Sequence, residues 1–377
     1  MPVDLYNLRP ALELMGLGLL VAGLPLFWTW HKHRQASPSG KLKALTVLTL
    51  VLTFELVLVG AFTRLTDSGL GCPDWPGCYG SATPLEAQRE IAQAQAAMPT
   101  GPVTHSKAWI EMVHRYMATG VGVLIISLCV LTWRQWRRDR RLAVHPGWTL
   151  LTLLWVCLQG AFGALTVTMK LFPAIVTMHL MLAIGLLALL VMQAVRYEGW
   201  NSVRVPRGLH WGLLVALGLL WLQIFLGGWV STNYAVLACS DFPTCQGSWW
   251  PAMDWQGFSL WRELGYGVDG QPLAFAALAS IHYIHRCMAW IVLAWLIGLG
   301  WRMRLHSGLA RPARALLALS ALQFFTGLSN VVLGWPLFSA VLHTGGAAAL
   351  MMTLTWALSL STTSVASQLS MNSRPVA

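Results

Sequence analysis

Apolar residues along the chain gather into nine long runs, at about 10–31, 44–63, 108–132, 148–168, 173–195, 209–231, 273–301, 312–334 and 337–361. A hydrocarbon core roughly 30 Å thick needs about 20 helical residues at about 1.5 Å each. Each run therefore predicts a membrane-crossing helix. The expected fold class is an all-α polytopic membrane protein with nine spans.

The polar stretches between the runs are not equivalent. Lys32, Arg34, Lys41 and Lys43 follow the first run, and Arg134, Arg137, Arg138, Arg140 and Arg141 follow the third. Arg196, Arg204 and Arg207 follow the fifth, and Arg302, Arg304, Arg311 and Arg314 follow the seventh. With Arg374 these make 17 of the 25 Lys and Arg. Cytoplasmic loops carry such an excess, so the N-terminus is expected outside, the C-terminus in the cytoplasm, and the long loops 64–107 and 232–272 outside. The composition, 56% hydrophobic and 10% charged, is that of a membrane protein. The net charge of +11 is spread over alternate loops rather than one patch, which argues against a nucleic-acid partner. The first run is long, has no basic start and no small-residue cleavage pattern, so it reads as a span rather than a secretory leader. An Arg- and Ser-rich transit peptide is also missing, which favours a bacterial inner membrane.

Both outer loops carry a cysteine pair at one spacing, Cys72/Cys78 and Cys239/Cys245, while Cys129, Cys157 and Cys287 stand alone within runs. An oxidising exterior favours two short-loop disulfides, Cys72–Cys78 and Cys239–Cys245. The alternative is a metal site, for which the loops offer only His105 as a further ligand.

The two loops belong to a longer repeat of roughly 165–171 residues. Cys72-Pro73-Asp74-Trp75-Pro76-Gly77-Cys78-Tyr79-Gly80 aligns with Cys239-Ser240-Asp241-Phe242-Pro243-Thr244-Cys245-Gln246-Gly247, and Leu158-Gln159-x-x-x-Gly163 aligns with Leu322-Gln323-x-x-x-Gly327. The expected organisation is an extra N-terminal helix at 1–36, a four-helix half at 37–203 and a second at 204–377, with the boundary in 196–208. Both halves start on the same side, so the two pseudo-symmetric four-helix transmembrane bundles form a parallel repeat. Gly160, Gly163, Gly227, Gly228 and Gly327 either let helices approach closely or leave room for a flat macrocycle.

The repeat also carries chemistry. Glu111-x-x-His114-Arg115 is answered by His282-x-x-His285-Arg286, and His179 by His343. An imidazole inside a membrane is costly without a partner and points to a site. Within each half the two histidines lie on the second and fourth helices, where facing imidazoles could bind both faces of a heme iron. For any single histidine, a hydrogen-bonded packing role is the alternative. Glu111 shares a helical face with His114 and could carry a proton; it could also pair with Arg115, one turn on. Arg115 and Arg286 would each meet a heme propionate, or else a helix end or lipid phosphate. Glu55 lies within the second run, either facing the Glu111 pocket or paired with a polar neighbour. His282 reads as a partner or polar contact of His285 rather than an iron ligand, since only His285-Arg286 aligns with His114-Arg115.

These residues resemble the heme A synthase family, on TRLTDSGLGCPDWPGC at 63–78, WIEMVHR at 109–115, VTMHL at 176–180, IHYIHR at 281–286 and LHTGG at 342–346. The resemblance covers about 41–361. It implies an oxidoreductase that converts the porphyrin C8 methyl of heme O to a formyl group by successive hydroxylations, giving heme A for cytochrome oxidase. His114, His179 and Arg115 would serve the substrate heme, while His285, His343 and Arg286 would bind a heme B cofactor. Glu111 matches the catalytic glutamate, and Cys72/Cys78 match a redox-relevant pair. Implied partners are heme O, membrane lipid, a membrane electron carrier, heme O synthase or oxidase assembly factors, and a second copy of the chain. The first run falls outside the family's eight-helix pattern. A diheme b-type electron-transfer cytochrome is the competing expectation, since the histidine pairs alone would suit it equally.

Overall fold

The computed structural model describes residues 9–198 and 202–363. Arg374, the first eight residues of the 1–36 segment and 199–201 of the expected boundary lie outside them. The helices are α1 (Arg9–Lys32), α2 (Pro38–Leu65), α3 (Gln88–Ala97), α4 (His105–Arg138), α5 (Pro146–Thr168), α6 (Pro173–Glu198), α7 (Arg207–Thr232), α8 (Phe275–Met303), α9 (Ala310–Val332) and α10 (Leu337–Leu360). Among the described residues nine of these, all but α3, are long and apolar enough to cross a membrane. The chain is a multi-pass membrane protein.

The helix starts follow local chemistry. The Ser37 hydroxyl accepts from the Gly40 N–H at 3.1 Å and the Thr104 hydroxyl from the Lys107 N–H at 3.3 Å, each satisfying a donor that the helix leaves unpaired. Pro38 and Pro146 occupy first-turn positions, where the missing N–H costs nothing. Within the spans, polar side chains turn back on their own helix. Thr46, Thr49 and Thr53 donate to the carbonyls of Leu42, Leu45 and Thr49 at 2.6–2.9 Å, so no hydroxyl is left for lipid to solvate. α3 lies in the 64–107 loop, where the sequence pattern predicts no helix; its one buried residue, Ile91, anchors it.

The described residues divide into two compact units, one running to Leu190 with Leu260–Val268 added, the other comprising the remainder. In the first, α4 is central and packs against α1, α2 and α5. Gly18 of α1 lies against Thr119, and Gly120 of α4 against Val21, so small residues bring α1 onto α4. α5 meets α6 where the Trp155 indole N–H donates to the Leu182 carbonyl at 2.8 Å. The 260–268 segment joins this unit through Trp261, whose ring lies 4.8 Å from that of Phe172. In the second unit α7 packs on α8, α8 on α9, α9 on α10 and α10 on α7, closing a ring of four helices. Its ends are tied by a short parallel pair, β1 (Val203–Val205) with β2 (Ser361–Thr363).

Candidate functional site

The two long loops, 64–107 and 232–272, each contain a disulfide-closed turn, Cys72–Cys78 in one unit and Cys239–Cys245 in the other, as the spacing implied. The turns share their wiring. Asp74 accepts from the Tyr79 and Gly80 N–H groups at 2.6 and 2.7 Å, and Asp241 from Gln246 and Gly247 at 2.6 and 3.0 Å. Asp241 also accepts from the Thr244 hydroxyl. That bond, with the two N–H groups, holds the exposed Asp241 carboxyl down at about 2.

The aligned arginines bind these turns. Arg115 Nη1 donates to the carbonyls of Asp74, Pro76 and Gly77 at 3.0, 3.1 and 2.5 Å. Arg286 donates to the matching carbonyls of Asp241 and Pro243, both at 3.0 Å. Each guanidinium therefore clamps the loop to the helix that carries the neighbouring histidine. Sequence reasoning had propionate, helix end or lipid phosphate as partners; loop carbonyls were not among them.

Three residues before each of those histidines the units diverge in chemistry but not in position. Glu111 is buried, pairs with Arg115, and its Oε2 accepts from the Cys72 N–H at 2.8 Å. His282, also buried, takes that place in the other unit: its Nδ1 accepts from the Cys239 N–H at 3.3 Å. The pairing of Glu111 with Arg115 is present, and His282 is a polar contact to the loop. Glu55 lies on the exposed face of α2 with Val51. At 100° per residue that face is turned about 140° from Gly60, the residue that meets His114.

The four histidines share one arrangement. A Cβ added at Gly60 would lie 3.1 Å from His114, at Gly163 3.1 Å from His179, at Gly227 3.0 Å from His285, and at Gly327 3.1 Å from His343. Every ring thus rests on a glycine of the preceding membrane helix, and every ring is half-buried. Gly163, Gly227 and Gly327 owe their place to this close approach, whereas nothing lies within 4 Å of a Cβ added at Gly160. Amides gather at three of the rings. Gln159 Nε2 is 3.4 Å from His179 Nε2, Gln223 Nε2 is 3.1 Å from His285 Nδ1, and Gln323 Nε2 donates to the His343 carbonyl at 2.8 Å. Thr326 Oγ1 lies 2.9 Å from His343 Nδ1.

These residues fit a heme iron. The Thr326 hydroxyl already donates to the Leu322 carbonyl at 2.8 Å, so toward His343 it is an acceptor for Nδ1–H, which leaves Nε2 for a metal. His179 Nδ1 and the side-chain oxygens of Gln159 and Gln223 are buried without partners, as groups awaiting a ligand would be. Among the described residues no cluster of three His, Cys, Asp or Glu could hold a bare metal ion. The glutamines and Thr326 were not singled out from the sequence as ligand partners. The signal was present: Leu-Gln-x-x-x-Gly occurs at 158–163, 222–227 and 322–327.

The family model described as a cytochrome oxidase assembly protein, COX15-CtaA, matches residues 43–355. A protein named heme A synthase from Shewanella oneidensis is 38% identical over 311 residues, 81% of this chain and 92% of that protein. Another of that name, from Caulobacter vibrioides, is 31% identical over 336 residues, 82% and 92% of the two chains. A third, from Halalkalibacterium halodurans, is 26% identical over 312 residues, 80% and 91% of the two.

Proposed function

The chain belongs to the COX15-CtaA family of cytochrome oxidase assembly proteins, and on that premise we propose that it is a heme A synthase, an oxidoreductase with heme O as substrate and heme A as product. Two successive hydroxylations of the ring methyl, each taking its oxygen atom from water and releasing two electrons and two protons, would give a gem-diol, and loss of water from it the formyl group. The observation that carries the assignment of chemistry to one unit is the divergence at Glu111 and His282. Both accept from a cysteine N–H of the outer turn, yet only the carboxylate can give up and retake a proton while anchored by an arginine.

In this reading His114 and His179 hold the substrate heme, and His285 and His343 hold heme B. Heme B, when bound, supplies a one-electron relay. Glu111 holds a proton at Oε1 or Oε2 beside the substrate, and the Arg115 and Arg286 clamps fix the loops over the two sites. Cys72–Cys78 lies one hydrogen bond from Glu111, within reach of the redox chemistry. The alternating basic loops support an orientation with the disulfide turns outside, and the proposed location is a bacterial inner membrane. A membrane electron carrier would take the electrons, and heme O synthase or a second copy of the chain would be neighbours in the bilayer.

The test is expression of the full chain in a host that makes heme O but no heme A, followed by analysis of extracted hemes. Heme A is expected. A folded, heme-loaded preparation that leaves heme O unchanged would leave the diheme cytochrome as the better reading.

A further inference from the structure

Three membrane helices carry Leu-Gln-x-x-x-Gly, and each sets its glycine under a histidine ring. The fourth departs from this. In α2 the matching segment reads Glu55-Leu56-x-x-x-Gly60, so the glycine is kept and the amide is replaced by an apolar side chain.

The polar contacts of the rings follow that difference. In the second unit the His343 ring is held at Nδ1, which donates to Thr326 Oγ1 at 2.9 Å, whereas the Gln223 amide nitrogen touches both ring nitrogens of His285, at 3.1 and 3.5 Å. Their backbones are held as well, through Gln223 to the His285 carbonyl at 3.2 Å and Gln323 to the His343 carbonyl at 2.8 Å. In the first unit His179 has one long contact, 3.4 Å to Gln159, and its Nδ1 is unpartnered. No hydrogen bond to the His114 ring exists among the described residues.

A metal-bound imidazole is fixed in orientation and strengthened as a ligand by the bond that its other nitrogen makes, and losing that partner weakens metal binding about 10- to 100-fold. We infer that Thr326 is a positioning residue that locks the His343 ring of the second unit while Gln223 and Gln323 tether the backbones of His285 and His343, and that His114, with Leu56 where the amide would stand, is the ring that releases its heme. The inference rests on the proposed two-heme reading and deepens it. A resident cofactor has to stay through many turnovers, whereas a substrate heme has to enter and its product leave. One unit is built to hold and the other to exchange.

Cyanide binding to the oxidised, heme-loaded full chain tests this, with each heme assigned from His114→Ala and His285→Ala preparations. The first-unit heme is expected to take cyanide at least about tenfold faster than the second. Thr326→Val should speed the second-unit heme by about 10- to 100-fold, and Leu56→Gln, which adds an amide tether, should slow the first. Thr326→Ser, which keeps the hydroxyl acceptor, should exchange at the rate of the unaltered protein and separates loss of the bond from a change in packing. Equal rates at the two hemes of the unaltered protein, or an unchanged second-unit rate in Thr326→Val, would overturn the inference alone. A preparation with no low-spin bis-histidine spectrum would overturn the two-heme reading together with it.

Discussion

Adding one methyl group at Gly227 should loosen heme from the second unit while leaving the protein itself as stable as before. The new carbon would lie 3.0 Å from His285 Cε1, 3.6 Å from Nδ1 and 3.7 Å from Nε2. Comfortable carbon contacts are about 3.5–4.0 Å, so the ring must retreat by about half an ångström. A ring with no metal on it can swing away, and alanine's better helix propensity, about 1 kcal/mol over glycine, offsets the adjustment. A ring held between a heme iron and α7 cannot, and overpacking of that kind costs about 1–3 kcal/mol. At about 1.4 kcal/mol per decade this is about a 5- to 150-fold loss of heme affinity. Gly218 on the same helix has nothing within 4 Å of an added Cβ, so Gly218→Ala carries the same propensity gain with no clash. The assay is heme transfer from detergent-solubilised protein to excess apomyoglobin, alongside thermal unfolding of the heme-free forms. Gly227→Ala should lose heme faster than Gly218→Ala while melting no lower. Equal heme retention by the two variants would refute the glycine-cradle argument.

Two further outcomes follow from the disulfide-closed turns. Asp241 has a folded-state pKa of about 2, below the ordinary value of about 3.9 for an unfolded chain, so its contribution to turn stability is full above pH ~4 and is lost as pH falls through about 2. Thr244→Ala removes the largest cause of that depression. Tryptophan fluorescence from Trp249 and Trp250 should then report loosening at higher pH than in the unaltered protein, and coincident acid titrations would count against this. Leu14 of α1 is buried in one apolar cluster with Cys72, Cys78, Ile91 and Met112. Removal of residues 1–36 should therefore speed reduction of Cys72–Cys78 by a membrane-impermeant phosphine, and an unchanged rate would show that α1 does not shield the disulfide.

Most of the architecture was legible because a membrane leaves the chain few choices. Runs of about 20 apolar residues had to become helices, and the span limits differ from the structure mainly where helices continue beyond the apolar run, as α4 does at His105–Lys107 and Trp133–Arg138. The repeat exposed the paired histidines, arginines and disulfides, since a duplicated site conserves spacing within one chain. The partners of the arginines were harder to read. A buried guanidinium demands acceptors, but sequence does not say that carbonyls of a turn 38–45 residues away supply them. α3 escaped notice because a ten-residue helix anchored by Ile91 has no long apolar run. The glutamines were visible as a repeated motif, yet only the structure shows that their amides meet the histidines and that Leu56 breaks the series.

The most direct test of the assignment of chemistry to Glu111 compares Glu111→Gln with His282→Gln in a host that supplies heme O. Both side chains occupy the same place against a cysteine N–H, and glutamine keeps an acceptor there. The account predicts that Glu111→Gln retains both hemes by spectrum but yields no heme A on extraction, while His282→Gln still yields it. Heme A from Glu111→Gln at the level of the unaltered protein would contradict it.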